Sequence, residues 1–272
     1  MTRLELTLSA APAGALDLSP LQPAALAALS LERIRRLKLH HGTRTASVGD
    51  LFAVNGEPGG AIALRGITPA CFGIGRGMAG GRIEVSGHGG QELGREMSAG
   101  EIHLRGSAGD GLALGLRGGL VRVKGNAGAR VGGAVPGAVH GMKGGTVIVD
   151  GDIGERGGER LRRGLIIVGG DCGPYLADRM VAGTIAVFGA AGNNVGLGMR
   201  RGTLLLAHPP EVLPTTFNPC GNFELMFVPV FARHVGEFDR NYARKLAAFA
   251  TAQRWCGDMA HGGKGEILLP VS

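Results

Sequence analysis

Aromatic residues are scarce, 4% of the 272 residues with a single tryptophan at Trp255, and no run of about five lysines and arginines occurs. Stacking side chains and dense basic segments are the usual mark of nucleic-acid binding, so nucleic acid is a poor reading. The formal charge of +7, from 29 Lys and Arg against 22 Asp and Glu, suits some other anionic partner. No basic region leads into a continuous apolar one, and nowhere do about eighteen apolar residues follow one another. No membrane contact is therefore expected, and cytoplasm is the expected compartment.

Cysteine is also sparse. Cys71, Cys172, Cys220 and Cys256 stand 101, 48 and 36 residues apart with no CxxC pair, so neither a zinc knuckle nor an iron–sulfur spacing is written locally, and buried free thiols are expected. There is no HxH, HExxH or acidic cluster, and no serine in a nucleophile elbow. His40 and His41 are adjacent and fall on opposite faces of any strand. The GxxxxG patterns are never followed by Lys and Ser or Thr, as a phosphate loop requires. The chain is expected to contribute no catalytic residue and no metal ligand set.

What is abundant is glycine, 51 residues, beside a hydrophobic fraction of 44% that cannot stay solvated. The glycines must punctuate a packed structure. Anchors at Gly60, Gly81, Gly100, Gly119, Gly145, Gly164, Gly183 and Gly202 are separated by 21, 19, 19, 26, 19, 19 and 19 residues. They are followed by AIAL, RIEV, EIHL, LVRV, TVIV, LIIV, TIAV and TLLL, in which the second and fourth residues are always aliphatic. That alternation means a strand with one buried face. Three residues before seven of the anchors stand Met78, Met97, Leu116, Met142, Leu161, Met180 and Met199, a third inward position. Six residues after each of the first seven anchors, Gly66 to Gly189, comes a second glycine for a sharp corner.

A period of 19 residues is too short for a strand plus a packed helix. The expected fold is all-β: a single-stranded right-handed parallel β-helix with coils of about 19 residues, capped by small N- and C-terminal α/β segments. The expected division is 1–47 as an N-terminal cap, 48–206 as the β-helix, and 207–272 as a C-terminal extension for capping and partner contact. In the first segment Leu4–Leu8 reads as a strand, 22–29 as an alanine-rich helix and 34–39 as another strand. In the last, 217–232 has β character, 239–256 reads as a helix with Asp239 as N-cap, and GEILLPV as a final strand.

Two departures from the repeat bear on function. The coil from Gly119 to Gly145 holds seven extra residues, with Arg130, Pro136, His140 and Lys143 in a loop extruded from one corner. The outward third strand position changes from Ala63, Glu84, His103 and Arg122 to Ile148, Ile167, Ala186 and Leu205. The second set is an apolar stripe that a partner or the chain's own tail must cover. Just before the anchors lie Lys143, then Arg162 and Arg163, then Arg200 and Arg201, with Arg117 earlier and Val181 and Ala182 as a gap. Equivalent positions stack, so these form a broken basic stripe, to which Arg156 and Arg160 add. It is suited to an acidic cofactor tail or to carboxylates of a neighbouring subunit.

The segment GMKGGTVIVDG, Gly141 to Gly151, resembles the glycine-rich coil shared by the C-terminal domain of the glutamate synthase large subunit and by the β-helical subunit of formylmethanofuran dehydrogenase. Within that superfamily the tail LPTTFNPCGNFELMFVPVFARHV, 213–235, looks like the extension of the β-helical subunit of the bacterial formyltransferase/hydrolase complex. The resemblance implies membership of a complex that moves a formyl group from formyl-tetrahydromethanopterin to a methanofuran-like cofactor and releases formate, in the oxidation of formaldehyde. It implies partners: a formyltransferase-like subunit, a metal-bearing amidohydrolase-like subunit, and a further subunit. It assigns no catalytic residue to this chain and no cofactor bound by this chain alone. The basic residues Lys143, Arg162, Arg163, Arg200 and Arg201 stand as candidates for contact with a cofactor tail. The alternatives are the β-helical subunit of a molybdenum or tungsten formylmethanofuran dehydrogenase, and a stand-alone binding or glutamate-synthase-related domain.

Overall fold

The computed structural model describes residues 3–271, so positions 1, 2 and 272 of the expected terminal segments lie outside it. The strands are β1 (Leu4–Leu8), β2 (Leu16–Asp17), β3 (Lys38–His41), β4 (Arg44–Ser47), β5 (Phe52–Asn55), β6 (Ala61–Ile67), β7 (Cys71–Phe72), β8 (Ala79–Gly87) and β9 (Ala99–Leu104). They continue as β10 (Leu120–Val123), β11 (Lys143–Val149), β12 (Arg163–Val168), β13 (Thr184–Val187), β14 (Arg201–Leu206), β15 (Asn218–Glu224), β16 (Thr251–Gly257) and β17 (Lys264–Pro270). Five short helices accompany them: α1 (Pro23–Ala27), α2 (Leu31–Arg36), α3 (Val48–Leu51), α4 (Val228–Gly236) and α5 (Arg240–Leu246).

These elements do not make the all-β, single parallel β-helix expected from the period. They make one mixed sheet of 13 strands, in the order β15-β16-β17-β14-β13-β12-β11-β10-β9-β8-β6-β1-β5, and a second sheet of four, β4-β3-β2-β7. Only one stretch of each repeat is extended for long enough to build a ladder. The opposite stretch is glycine turns that touch the next coil through single bridges, Gly89 to Ala108 to Ala127 to Ile153 to Cys172 to Ala191. Antiparallel pairs close both ends of the large sheet, β1 with β5 at one end and β15–β16–β17 at the other.

The repeat still dictates the register. From β8 to β14 each strand is parallel to the next, with the same positions aligned: Val121 with Ile102 and Val147, Ile185 with Ile166 and Leu204. All sixteen aliphatic residues at the second and fourth positions are at most 1% exposed, as are the seven residues before the turns, Met78 to Met199. Each such side chain contributes about 1.5–3 kcal/mol by leaving water. The anchor glycines are fixed by geometry as well. Gly100 has φ +98°, and a Cβ there would stand 2.5 Å from the Gly81 carbonyl oxygen of the preceding coil. At the outer corner, side chains bridge coils: the backbone N–H of Asp152 donates to Asn126 Oδ1 (3.0 Å), that of Asp171 to Asp152 Oδ1 (2.8 Å) and that of Ala190 to Asp171 Oδ1 (2.7 Å).

The other sheet face explains the change at the third strand position. Ile148, Ile167, Ala186 and Leu205 form a second buried cluster with Val228, Val235, Tyr242, Leu246, Phe249 and Ala252 of the tail, and with Leu268. The chain covers its own apolar stripe. Asp239 caps α5 by accepting from the N–H of Asn241 and Tyr242, and its carboxylate pairs with Arg122. Arg122 also reaches Asp150 (3.3 Å), which accepts from the Tyr242 hydroxyl (3.0 Å).

Local readings of the termini are partly revised. Of the strand expected over 34–39, residues 34–36 instead complete the helix α2, in which the Ser30 hydroxyl accepts from Arg33 N–H and Glu32 pairs with Arg36 one turn on, and 38–39 are extended in β3. The β-like run 217–232 divides into β15 and α4, where Val228 and Val235, seven apart, are buried while Val230 is exposed. The helix from Asp239 stops at Leu246, and 251–257 becomes β16 between β15 and β17. Of the cysteines, Cys71 and Cys172 are buried, Cys220 is exposed and Cys256 half-buried, and all four thiols are free.

Candidate functional site

The start of each repeat strand decides where its basic residue sits. Lys143, Arg163, Arg201 and Lys264 open β11, β12, β14 and β17, in each case directly before a glycine. Strand pairing sets Lys143 beside Arg163, and Arg201 beside Lys264. Like charges in register repel, which is destabilising unless an anion lies between them. In the first half of the sheet, at other strand positions, charged neighbours are of opposite sign: Arg82 aligns with Glu101 (3.4 Å) and Arg3 meets Glu84 (2.5 Å). These basic residues without acidic partners make this part of the sheet a candidate anion site.

Arg162, Arg163, Arg200 and Arg201 line a cleft of about 470 Å³ with Val181, Ala182, His261, Gly262 and Lys264. Among the described residues none of these four arginines, nor Lys264 or Lys143, has a carboxylate within 4.0 Å. The four arginines line one cleft together with Val181 and Ala182 of the intervening coil. Lys143 flanks Arg163 by register but lies outside the cleft lining. Arg117, Arg156 and Arg160 are engaged elsewhere, with Glu96 (3.3 Å), Asp178 (2.9 Å) and the Ala138 carbonyl (3.1 Å).

Two further clefts continue the first. One of about 400 Å³ shares Val181, Arg200 and His261 and adds His140, Arg160 and Arg179. Another of about 340 Å³ shares Arg179, Gly198 and His261 and adds Arg156 stacked over the Tyr175 ring, 4.9 Å from its centroid. His261 stands where all three meet. Its turn is held by Asp258, whose buried carboxylate accepts from the N–H of Gly198 (2.9 Å) and Ala260 (3.0 Å). Burial pushes the Asp258 carboxyl up, but these N–H groups and nearby His261 outweigh it and hold it below the usual range. Behind the trough the buried carboxylates Glu159 and Asp178 fix Arg130, Arg156 and Arg179. Asp178 hydrogen-bonds Arg179 and raises its guanidinium above its ordinary value.

The extra seven residues form the second cleft's wall. Arg130 donates to Ala134 O (2.7 Å) and Arg160 to Ala138 O, holding the loop with Val139 exposed at its tip and His140 in the lining.

Lys264, His261 and Arg179 are site residues that the spacing argument missed. Lys264 had a signal: KGEILL repeats the RGLIIV and RGTLLL pattern 63 residues after Gly202, so Gly265 is a ninth anchor. His261 and Arg179 had none, since their positions depend on the turn after β16 and on the glycine corner. Among the described residues no three His, Cys, Asp or Glu side chains gather as metal ligands.

Residues 74–220 match the family described as GXGXG motif. The whole chain is similar to one chain in the X-ray crystal structure of the formyltransferase/hydrolase complex (FhcABCD) from Methylorubrum extorquens in complex with methylofuran. That match has a TM-score of 0.88 and 34% identity, and covers 98% of this chain and 100% of the other. A comparison with curated proteins matched none.

Proposed function

We propose that this chain, which belongs to the GXGXG-motif family and to the family of the formyltransferase/hydrolase-complex subunit it matches, serves as the non-catalytic scaffold of such a complex. The observation that carries the reading is the end-to-end match, which includes the tail as well as the repeat. The complex would move a formyl group from formyl-tetrahydromethanopterin to a methanofuran-like cofactor and release formate. The bond-making and bond-breaking groups would belong to a formyltransferase-like and a metal-bearing amidohydrolase-like partner, and a further subunit would complete the assembly.

Within that assembly the trough around His261 anchors the acidic tail of the furan cofactor. The donor set fits such a chain: guanidinium and ammonium groups without carboxylate partners, on coils about 4.8 Å apart. The first cleft does not fit the furan ring, since no aromatic side chain lines it, and Tyr175 in the third is covered by Arg156. This chain's part is to hold an anionic chain by charge while partners act on its other end.

Native purification from the source cells, with intact-complex mass and partner identification, tests the reading. Recovery with formyltransferase-like and amidohydrolase-like subunits is expected. Recovery with molybdenum- or tungsten-bearing redox partners would assign the chain to a dehydrogenase, and recovery alone would remove the scaffold role. Arg162→Ala combined with Arg200→Ala is expected to weaken cofactor retention at least tenfold with assembly intact; unchanged retention would free the trough from this role.

A further inference from the structure

The arginine stripe is interrupted at Val181 and Ala182, and the neighbouring corner of the coils fills the gap. Five successive coils each place one basic or imidazole side chain in the second cleft: His140, Arg160, Arg179, Arg200 and His261. They precede Gly145, Gly164, Gly183, Gly202 and Gly265 by 5, 4, 4, 2 and 4 residues, so each belongs to its own repeat. Backbone contacts set the coils in that order: Gly141 N–H donates to Arg160 O (2.8 Å), Arg160 N–H to Asp178 O (2.8 Å) and Arg179 N–H to Leu197 O (2.7 Å). Gly198 N–H donates to Asp258 Oδ2 (2.9 Å), which attaches the His261 turn to the last of them. At about 4.8 Å per coil the row spans about 19 Å.

Arg179 is the member that makes the row continuous. Where the stripe carries Val181, Arg179 lines the same cleft two residues earlier, and where the corner carries Gly198, Arg200 lines it two residues later. Local backbone preference opposes this placement. Arg160 and Arg179 have φ +53° and +52°, in the left-handed region, and at the same step of other coils stand Gly77, Gly115 and Gly198. Side chains held in such conformations cluster at ligand-binding sites. Two carboxylates, Glu159 and Asp178, serve four guanidiniums, those of Arg130, Arg156, Arg160 and Arg179. The cluster is left with an excess of positive charge, and the pairing holds the guanidiniums in place.

We propose that this row is a track for a linear polycarboxylate lying along the stack of coils, with Arg179 as the residue that joins its two halves. The row offers a donor at every coil, a periodicity that a single basic cluster lacks. An extended peptide rises about 3.3 Å per residue, so about six residues fill the track. The proposal rests on the trough being an anion site, as assigned above, and adds the direction, length and continuity of what it holds.

Binding of fluorescein-labelled di-, tetra-, hexa- and octaglutamate to the full chain, read by anisotropy at low ionic strength, tests it. Affinity is expected to rise about tenfold from diglutamate to hexaglutamate and to change little from hexaglutamate to octaglutamate. Arg179→Gly places at this left-handed position the residue that suits it, and Asp178 keeps Arg156 as its partner. The thermal midpoint is therefore expected to hold in this variant, while the gain from diglutamate to hexaglutamate is lost. Arg244→Ala, which removes a positive charge from the exposed side of α5, should leave the length profile as it is. Affinity that climbs as steeply from hexaglutamate to octaglutamate, or that falls equally in Arg179→Gly and Arg244→Ala, overturns the track and leaves the trough as an anion site. A midpoint that falls together with affinity in Arg179→Gly would make that arginine structural and overturn its joining role. Binding of none of these peptides would overturn both the track and the anion site.

Discussion

Gly145 illustrates why so many positions in this chain admit a single residue. Its φ is +84°, and a Cβ would lie 2.7 Å from the Gly119 carbonyl oxygen in the coil beneath. Gly145→Ala must pay for the left-handed conformation and for the displaced strand contact, a loss of about 2–3 kcal/mol to be read from the denaturant midpoint. At the same scale, Lys264 is placed against stability, next to Arg201 in register. Lys264→Glu is expected to hold or slightly raise the thermal midpoint by pairing with Arg201, while affinity for a polyanion such as polyglutamate falls severalfold in titration. A fall in both together would mean that Lys264 has a structural role.

Charge holds the N-terminus of the lid helix α5. Burial pushes the Asp239 carboxyl up, but the Arg122 guanidinium and the N–H groups of Tyr242 and Asn241 outweigh it, so the folded carboxyl titrates below its ordinary range. A carboxyl held low in the folded state adds stability that is fully present above about pH 4 and lost as the pH falls through the folded value. Thermal midpoints measured from pH 6 to pH 3 are expected to drop toward the acid end, and the drop should be shallower for Asp239→Asn. Phe188 stacks on Tyr242 at 5.4 Å and Lys245 lies over both rings, so the helix remains docked through its apolar face at neutral pH.

For the molecule as a whole, one sheet separates two cores. The repeat core continues from Leu4 to Leu269, whereas the second cluster exists only where the tail returns over β11 to β14. Leu246 is fully buried in the second cluster, and Leu246→Ala is expected to cost about 2–5 kcal/mol through the cavity it leaves. Hydrogen exchange should accelerate in 225–250 and remain slow in β8 and β9, since neither strand contributes a residue to the second cluster. Uniform acceleration would show the two cores to be one cooperative unit.

The sequence by itself determined the period, the inward residues of every coil, the strand register and the basic positions before the anchors, because a repeated environment imposes the same residue type at the same step. It also marked Ile148, Ile167, Ala186 and Leu205 as a stripe in need of cover. Tertiary structure decided the rest. The β-helix expectation failed because periodicity counts turns and strands alike, while only contacts between distant segments decide that one wall becomes a 13-stranded mixed sheet and that β1 and β17 join it. The trough likewise needed folding to exist: Arg162 and Lys264 stand 102 residues apart in the chain, and His261 reaches them only through a turn held by Asp258. Spacing reports which residues share an environment, but charge acts across space, and only the return of the tail added Lys264 and His261 to the arginines that the repeat aligns.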